Sequence, residues 1–329
     1  MARTQEPFTG RRPLRVPSAG LRSDPPGPAQ RPVPHPGPVG QASAGGPVVV
    51  LTYSFSGWPR LQGVLERVPE LACTTGTGIL GMCDTAARAW VNVEERDGEH
   101  MSSLAAKSIR AMVVSMMTVM VTRSSRARRW CETATVEPAA AETFLRIVPG
   151  TQFLCLHRSC PDVVRTVLSS SPWGIVGGPF TPYLLAHPAN TTAAIAACWA
   201  DSAGQLLDFE SRHPESALRV RYEDLASDPA ATSQAIFDFT GMAPASPVPE
   251  LAEDELLGGG ISGGDPAGLD TRFPVAMLPP QLIQRISHLH EQLDYPPVSA
   301  SSQSSQELTG PAAGRTGSGA PGRPGQSEG

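Results

Sequence analysis

Lysine is almost missing from this chain. Of its 26 basic residues only Lys107 is a lysine, and the other 25 are arginines. A catalytic or phosphate-gripping amine therefore has almost nowhere to come from, and the GxxxxGK[ST] loop of P-loop NTPases is absent. The six cysteines, Cys73, Cys83, Cys131, Cys155, Cys160 and Cys198, form no CxxC pair and no metal-ligand spacing. That excludes a recognisable zinc site, and no metal is expected; reduced core thiols in a cytoplasmic protein are the expectation. Long apolar runs are missing too. The first residues carry no signal-type apolar region, so no signal peptide is expected. The run "AMVVSMMTVMV" (111–121) is about half the length of a membrane span and reads as a buried helix, so no span is expected.

What is present divides the chain into three. Residues 1–46 are rich in Pro, Gly and Arg with a net charge of +4, and 298–329 are a neutral Gly/Ser/Pro/Gln tract. Neither can bury enough apolar surface to offset its ordering entropy, and both are read as disordered tails. The folded domain is then 47–297. Since the whole chain carries −5, this domain carries about −9. An acidic domain argues against nucleic acid as the main partner, because duplex binding needs a basic face. Nothing in the sequence fixes the oligomeric state.

Within 47–297 strands alternate with helices. "PVVVLTY" (47–53) is a β-branched run of the kind that forms a parallel strand buried on both faces. A helix over 59–68 follows, then a short strand in "ELACTTGTGIL", helices over 83–95 and 102–121, and a basic linker, "TRSSRARRW". A helix over 138–147 leads to the strand "TQFLCLHR" (151–158) and a helix opened by Pro161 and Asp162. Residues 172–189 read as loop, 191–211 as a long helix, and "ALRVRYEDL" as a strand ending in an acidic turn. "SDPAATSQAIFDFTG" is a helix capped by Asp228 and ended by Gly241. A Gly-rich loop and a helix over "PPQLIQRISHLHEQL" complete the domain. The pattern predicts an α/β fold, a mostly parallel central sheet flanked by helices.

In such sheets ligands bind where strand-to-helix turns present free N–H groups and a helix dipole. "SFSGW" after the first strand is such a turn. "LHRSCPDVVRT" ends a strand with Arg158 and sets Thr166 eight residues on, and "VRYEDLASDP" closes the last strand. Taken together, "TYSFSGWPRLQ", Arg158 with Thr166, the RYEDL..DP text at 221–229 and the closing "LDYP" resemble the PAPS-dependent sulfotransferases. In that family, which has a P-loop NTPase-like fold, the first segment commonly reads TYPKSGTTWLQ. The resemblance covers about 47–297 and implies PAPS (3'-phosphoadenylyl sulfate) as co-substrate. The N–H groups of Ser56, Gly57 and Trp58 would hold the 5'-phosphate, and Arg158 with Thr166 the 3'-phosphate. Tyr222 matches a tyrosine near the adenine. In-line sulfuryl transfer would need no metal.

The chain departs from that pattern where the chemistry lies. The family's loop lysine or arginine is Phe55 here, its adenine-stacking tryptophan is Arg60, and Thr133 falls near its second lysine. Its general-base glutamate has only Thr75 and Gly76 in its place. The positive charge must then come from Arg60, Arg129 or Arg158, and Glu132, Asp84 and His187 are base candidates by location, with Arg60 and Glu132 the nominated catalytic pair. Glu223 and Asp224 are expected to hold their loop, His157 to be a core histidine, and His213, His288 and His290 to be surface residues. Two readings stand: transfer of sulfate from PAPS to a hydroxyl of a small molecule, such as a secondary metabolite or glycolipid, or a catalytically degenerate relative that binds a nucleotide or partner without turnover. A P-loop kinase or NTPase lacks both its lysine and a Mg²⁺ carboxylate beside the turn.

Overall fold

The computed structural model of the chain describes residues 45–97, 99–123, 126–170, 178–245 and 274–298, with 91–103 described by backbone alone. The tails expected at 1–46 and 298–329 lie outside these residues except at 45, 46 and 298. So does the Gly-rich loop around 256–268.

Five strands, β1 (Val48–Thr52), β2 (Leu71–Thr75), β3 (Arg129–Thr135), β4 (Gln152–His157) and β5 (Ala217–Arg221), form one sheet in the order β2-β3-β1-β4-β5. Every neighbouring pair is parallel. The crossovers carry α1 (Trp58–Leu65), α2 (Ile79–Asp97), α3 (Glu99–Thr122), α4 (Pro138–Ile147), α5 (Cys160–Ser170), α6 (Thr181–Ala186) and α7 (Thr191–Arg212). After β5 come α8 (Tyr222–Ser227), α9 (Pro229–Thr240) and α10 (Pro280–Gln292). The α/β class and the parallel sheet are as the sequence implied.

All five residues of β1 are buried, because helices cover both faces. On one face Val48, Val50, Leu154, Leu156 and Val220 pack under Leu61, Val64 and Leu65 of α1 and Ile236 and Phe237 of α9. On the other, Val49, Leu51, Phe153 and Cys155 pack against Phe144 of α4 and Trp199, Leu206 and Phe209 of α7. Leu51 stands opposite Ala134 on β3 and Cys155 on β4, and His157 opposite Arg221. That register brings the carboxyl ends of β1, β3, β4 and β5 to one edge of the sheet.

Four expectations need correction. β3 lies between β2 and β1 and takes its first two residues, Arg129 and Trp130, from the expected linker 122–130; no strand was expected here because its polar residues hid one whose Cys131, Glu132 and Thr133 are buried. β5 stops at Arg221, and "YEDLAS" turns into α8 because Glu223 and Asp224 favour a helix first turn. Within the expected 172–189 loop, the described part contains α6. α3 is not a buried helix, since only its inner stripe, including Ala105, Ile109 and Val113, is covered.

Candidate functional site

The turn after β1 is built from two residues in left-handed backbone, Phe55 at φ 65 and Gly57 at φ 94. Gly57 is required on a second count. A β-carbon there would stand 2.1 Å from Cδ2 of Tyr222, whose ring closes over the turn. α1 begins at Trp58 with no side-chain cap and no acidic residue in its first turn. Pro59 has no N–H and the Arg60 N–H already donates to the Gly57 carbonyl at 3.1 Å, so the Trp58 N–H is what the start of α1 leaves open, with the positive end of the helix dipole pointing out of the turn. Ser56 contributes less than the sequence suggested. Its N–H donates to the Tyr53 carbonyl at 3.2 Å, and its buried hydroxyl is hydrogen-bonded to that of Thr52.

Tyr53 locks β1 to β4. Its hydroxyl donates to the Arg158 carbonyl at 2.9 Å and accepts from the Arg158 N–H at 2.8 Å, while the Trp199 indole N–H donates to the same carbonyl at 2.8 Å. Burial pushes the phenol pKa well up, so it stays a neutral bridge. The backbone of Arg158 is thereby pinned and its side chain is aimed at the turn: Nη1 donates to the Phe55 carbonyl at 3.1 Å, and Cζ lies 4.4 Å from the centre of the Tyr222 ring.

Arg60 approaches the same ring from α1, with Cζ 5.9 Å from its centre. This arginine is 6% exposed, and both Nε and Nη1 are buried with no hydrogen-bond partner. Nε of Arg158 is buried and unpartnered as well. A buried cationic donor without an acceptor costs a few kcal/mol, and the oxygens of an anion are groups that would satisfy such donors.

Thr166 lies two turns along from Arg158, on α5, and its hydroxyl donates to the Asp162 carbonyl of its own helix at 2.7 Å. It can accept in that state, but it donates to a phosphate only after rotating away. Tyr222 opens α8 and forms the wall between Gly57 and the two guanidiniums.

Glu132, nominated for chemistry, has a different place. It is buried on β3, where one carboxylate oxygen accepts from the Thr77 N–H at 2.6 Å and the Thr77 hydroxyl at 2.8 Å, and the other from the Thr74 hydroxyl. Three of its four lone-pair sites are engaged in holding the β2–α2 turn. Asp84 is hydrogen-bonded to Thr143 at 3.0 Å and paired with Arg88, and Arg129 is spread over Gly46, Thr240 and Gln152, so neither belongs to this cluster. His187 caps the end of α6. His157 is fully buried and hydrogen-bonded to Glu210 at 2.6 Å, a core histidine as expected.

Glu223 does hold its loop: it accepts from the Ser159 N–H and from the Tyr295 hydroxyl, each at 2.8 Å. His290 is not a surface residue. It is buried against Trp199 and Tyr295, bonded through Nδ1 to the Pro296 carbonyl at 2.7 Å, and burial lowers its pKa. Phe55, in the place of the loop cation, is 36% exposed with its ring centre 6.4 Å from that of Phe180. Phe180 lines an apolar cavity of about 30 Å³ with Tyr53, Val163, Ile195 and Trp199. Among the described residues no three His, Cys, Asp or Glu side chains are grouped to hold a metal.

Residues 67–246 match the sulfotransferase family. That match begins just past α1 and leaves the Phe55 turn outside. No curated protein matches the chain. Among solved structures the chain is similar to a sulfotransferase domain from the curacin biosynthetic pathway, at 18% identity and a TM-score of 0.47 over 77% of this chain and 98% of that one. It is also similar to a sulfotransferase domain of the Synechococcus PCC 7002 olefin synthase, at 18% identity and 0.45 over 77% and 97%. A third is a sulfotransferase from Alicyclobacillus acidocaldarius, at 12% and 0.44 over 76% and 96%.

Proposed function

The chain belongs to the sulfotransferase family, and from that premise we propose that it transfers a sulfuryl group from PAPS to a hydroxyl of a small-molecule acceptor. The observation that carries this reading is the pair of guanidiniums at the Tyr222 ring, Arg60 and Arg158, whose buried N–H donors lack acceptors beside an uncapped helix start. A doubly phosphorylated nucleotide offers the oxygens that this arrangement lacks. The N–H groups of Gly57 and Trp58 would receive the 5'-phosphate at the start of α1, with Ser56 shaping the turn. Arg158, with the Thr166 hydroxyl turned outward, would receive the 3'-phosphate, and Tyr222 would border the base.

Sulfuryl transfer needs positive charge where the leaving oxygen becomes anionic. Phe55 cannot supply it, so we assign that role to Arg60, the only other side chain of the turn and first helical turn that carries a cation. Glu132 is better read as a positioning residue than as the general base, because both its oxygens are already engaged by Thr74 and Thr77. A cytoplasmic location belongs to the same reading.

Calorimetric titration with 3',5'-ADP tests the nucleotide site, and release of 3',5'-ADP from PAPS in the presence of an acceptor alcohol or phenol tests turnover. Arg158→Ala is expected to abolish binding; no heat at millimolar nucleotide would end the reading. Phe55 favours one alternative, a relative that binds the nucleotide without turnover. That alternative predicts binding heat with no product release until Phe55→Lys or Phe55→Arg restores the cation.

A further inference from the structure

The turn between β4 and α5, residues 158–160, is held by side chains from three other parts of the chain. The Arg158 N–H donates to the hydroxyl of Tyr53, just past β1, at 2.8 Å. The Ser159 N–H donates to Oε1 of Glu223 on α8 at 2.8 Å, and the Cys160 N–H to Nε2 of His290 on α10 at 3.4 Å. Across the first turn of α5 the Ser159 hydroxyl donates to the Asp162 carboxylate at 2.7 Å and accepts from the Asp162 N–H at 3.4 Å. The start of α1 leaves the Trp58 N–H open, whereas the start of α5 has its donors spent on the protein itself. This turn therefore offers a ligand the Arg158 side chain and not its backbone.

The chain beyond α10 folds back on the same turn. Asp294 takes left-handed backbone at φ 55, and the Tyr295 N–H donates to the His290 carbonyl at 2.8 Å, which ends the helix and turns Tyr295 inward. The Tyr295 hydroxyl donates to Oε2 of Glu223 at 2.8 Å, and its ring lies 5.3 Å from that of His290. The partners also fix the state of His290. A peptide N–H can only donate and a carbonyl can only accept, so Nε2 is bare toward Cys160 and Nδ1 carries the proton donated to Pro296 at 2.7 Å. Both bonds exist together only for the neutral ring.

We infer that Glu223, His290 and Tyr295 are positioning residues for Arg158, which rests on the nucleotide site proposed above: they fix the backbone of the 158–160 turn, and with it the direction in which the Arg158 guanidinium meets the 3'-phosphate. A proton on Nε2 of His290 sets two donors against each other and releases the Cys160 N–H. Around this ring, α5 brings Cys160 and Asp162, the C-terminal segment brings Tyr295 with Glu223 bonded to it, and α7 brings the uncharged Trp199. Arg219 of β5 is turned to the Gln292 carbonyl and to Glu210. Burial keeps Cys160 and Tyr295 neutral. Burial also disfavours the imidazolium, and it outweighs Asp162 and the Pro296 carbonyl, so the release falls below the ordinary histidine value of 6.5.

Calorimetric affinities of the full chain for 3',5'-ADP and for 5'-AMP, which lacks the 3'-phosphate, test the inference. Glu223→Ala is expected to weaken 3',5'-ADP binding by about tenfold and Tyr295→Phe by about threefold, the effects of two lost hydrogen bonds and of one, while 5'-AMP binding holds. A fold that is merely destabilised loses both affinities in proportion. Tyr295→Phe removes a single oxygen and serves if Glu223→Ala does not fold. Glu223→Gln keeps an acceptor for Ser159 and a partner for Tyr295, and it retains the unsubstituted ratio of the two affinities. As pH falls from about 7.5 to about 5, that ratio drops more steeply in the unsubstituted chain than in His290→Gln, whose side-chain oxygen accepts without titrating. Proportional loss of both affinities, no loss of either, a Glu223→Gln as weak as Glu223→Ala, or parallel pH profiles each overturns the inference while the nucleotide site stands. No heat from the unsubstituted chain with 3',5'-ADP removes the nucleotide site and this inference with it.

Discussion

The ring of Tyr222 lies so close to Gly57 that no other residue fits there: a β-carbon would come within 2.1 Å of Cδ2 and 2.4 Å of Cε2, at a backbone φ of 94. The turn after β1 and the start of α8 are 165 positions apart in sequence, and this contact makes them one structure. Gly57→Ala is therefore expected to lose about 1–3 kcal/mol of stability from left-handed strain, with a further loss as Tyr222 is displaced. The matching measurement is urea unfolding of Gly57→Ala, Tyr222→Ala and the double variant. Less-than-additive losses are expected, because the clash disappears with the ring; strict additivity would mean that the contact is not felt.

Arg60 separates stability from function. With two buried N–H groups unpartnered, it costs the nucleotide-free protein what an orphaned donor costs. Arg60→Met is expected to leave the thermal midpoint unchanged or to raise it, and to weaken 3',5'-ADP binding by about 10- to 100-fold, the loss of a charge-assisted hydrogen bond or two. A lower midpoint with unchanged affinity would make Arg60 a structural arginine.

Phe55→Lys returns a cation to the turn. Turnover is expected to rise by about 10²–10³, the usual contribution of one preorganised donor at a developing negative charge, with little change in nucleotide affinity. Stability should change little, because Phe55 already pays the left-handed strain at φ 65. Single-turnover release of 3',5'-ADP reads the effect, and an unchanged rate would mean that Arg60 already supplies all the positive charge the leaving oxygen needs.

Acid should loosen the fold from near pH 6.5 downward. Burial lowers the pKa of His290 below the ordinary histidine value of 6.5, and burial together with Arg212 does the same for His213. Below 6.5 the unfolded chain takes up protons that the folded one refuses, so stability is full above that pH and falls as pH drops toward the folded pKa values. Glu210 adds a later step. Burial raises its pKa, but His157 and Arg219 outweigh that and hold it below 4.5, so its contribution is lost as pH falls below 4.5. Thermal midpoints from pH 8 to 4 should show both slopes, and His290→Asn should flatten the first. A first slope untouched by that change would assign it to other groups.

On its own the sequence determined the elements whose pattern is local. The apolar run of β1, Pro138 at the start of α4, the Asp228 cap of α9, and the Arg158 strand end all carry their signal in adjacent residues, and burial on both faces demands such runs of a central parallel strand. Only the tertiary structure decided what rests on partners distant in sequence. β3 does not read as a strand until Thr74 and Thr77 are seen to satisfy Glu132 from β2 and the turn beyond it. His290 reads as a surface residue until Trp199 and Tyr295 close over it, and α3 reads as buried until its covered stripe proves narrow. At the site, the resemblance to the family's loop set Phe55 where a lysine or arginine is common. That Arg60 keeps buried, unpartnered donors beside Tyr222 was settled by packing, because whether a polar group is satisfied depends on every chain segment that surrounds it.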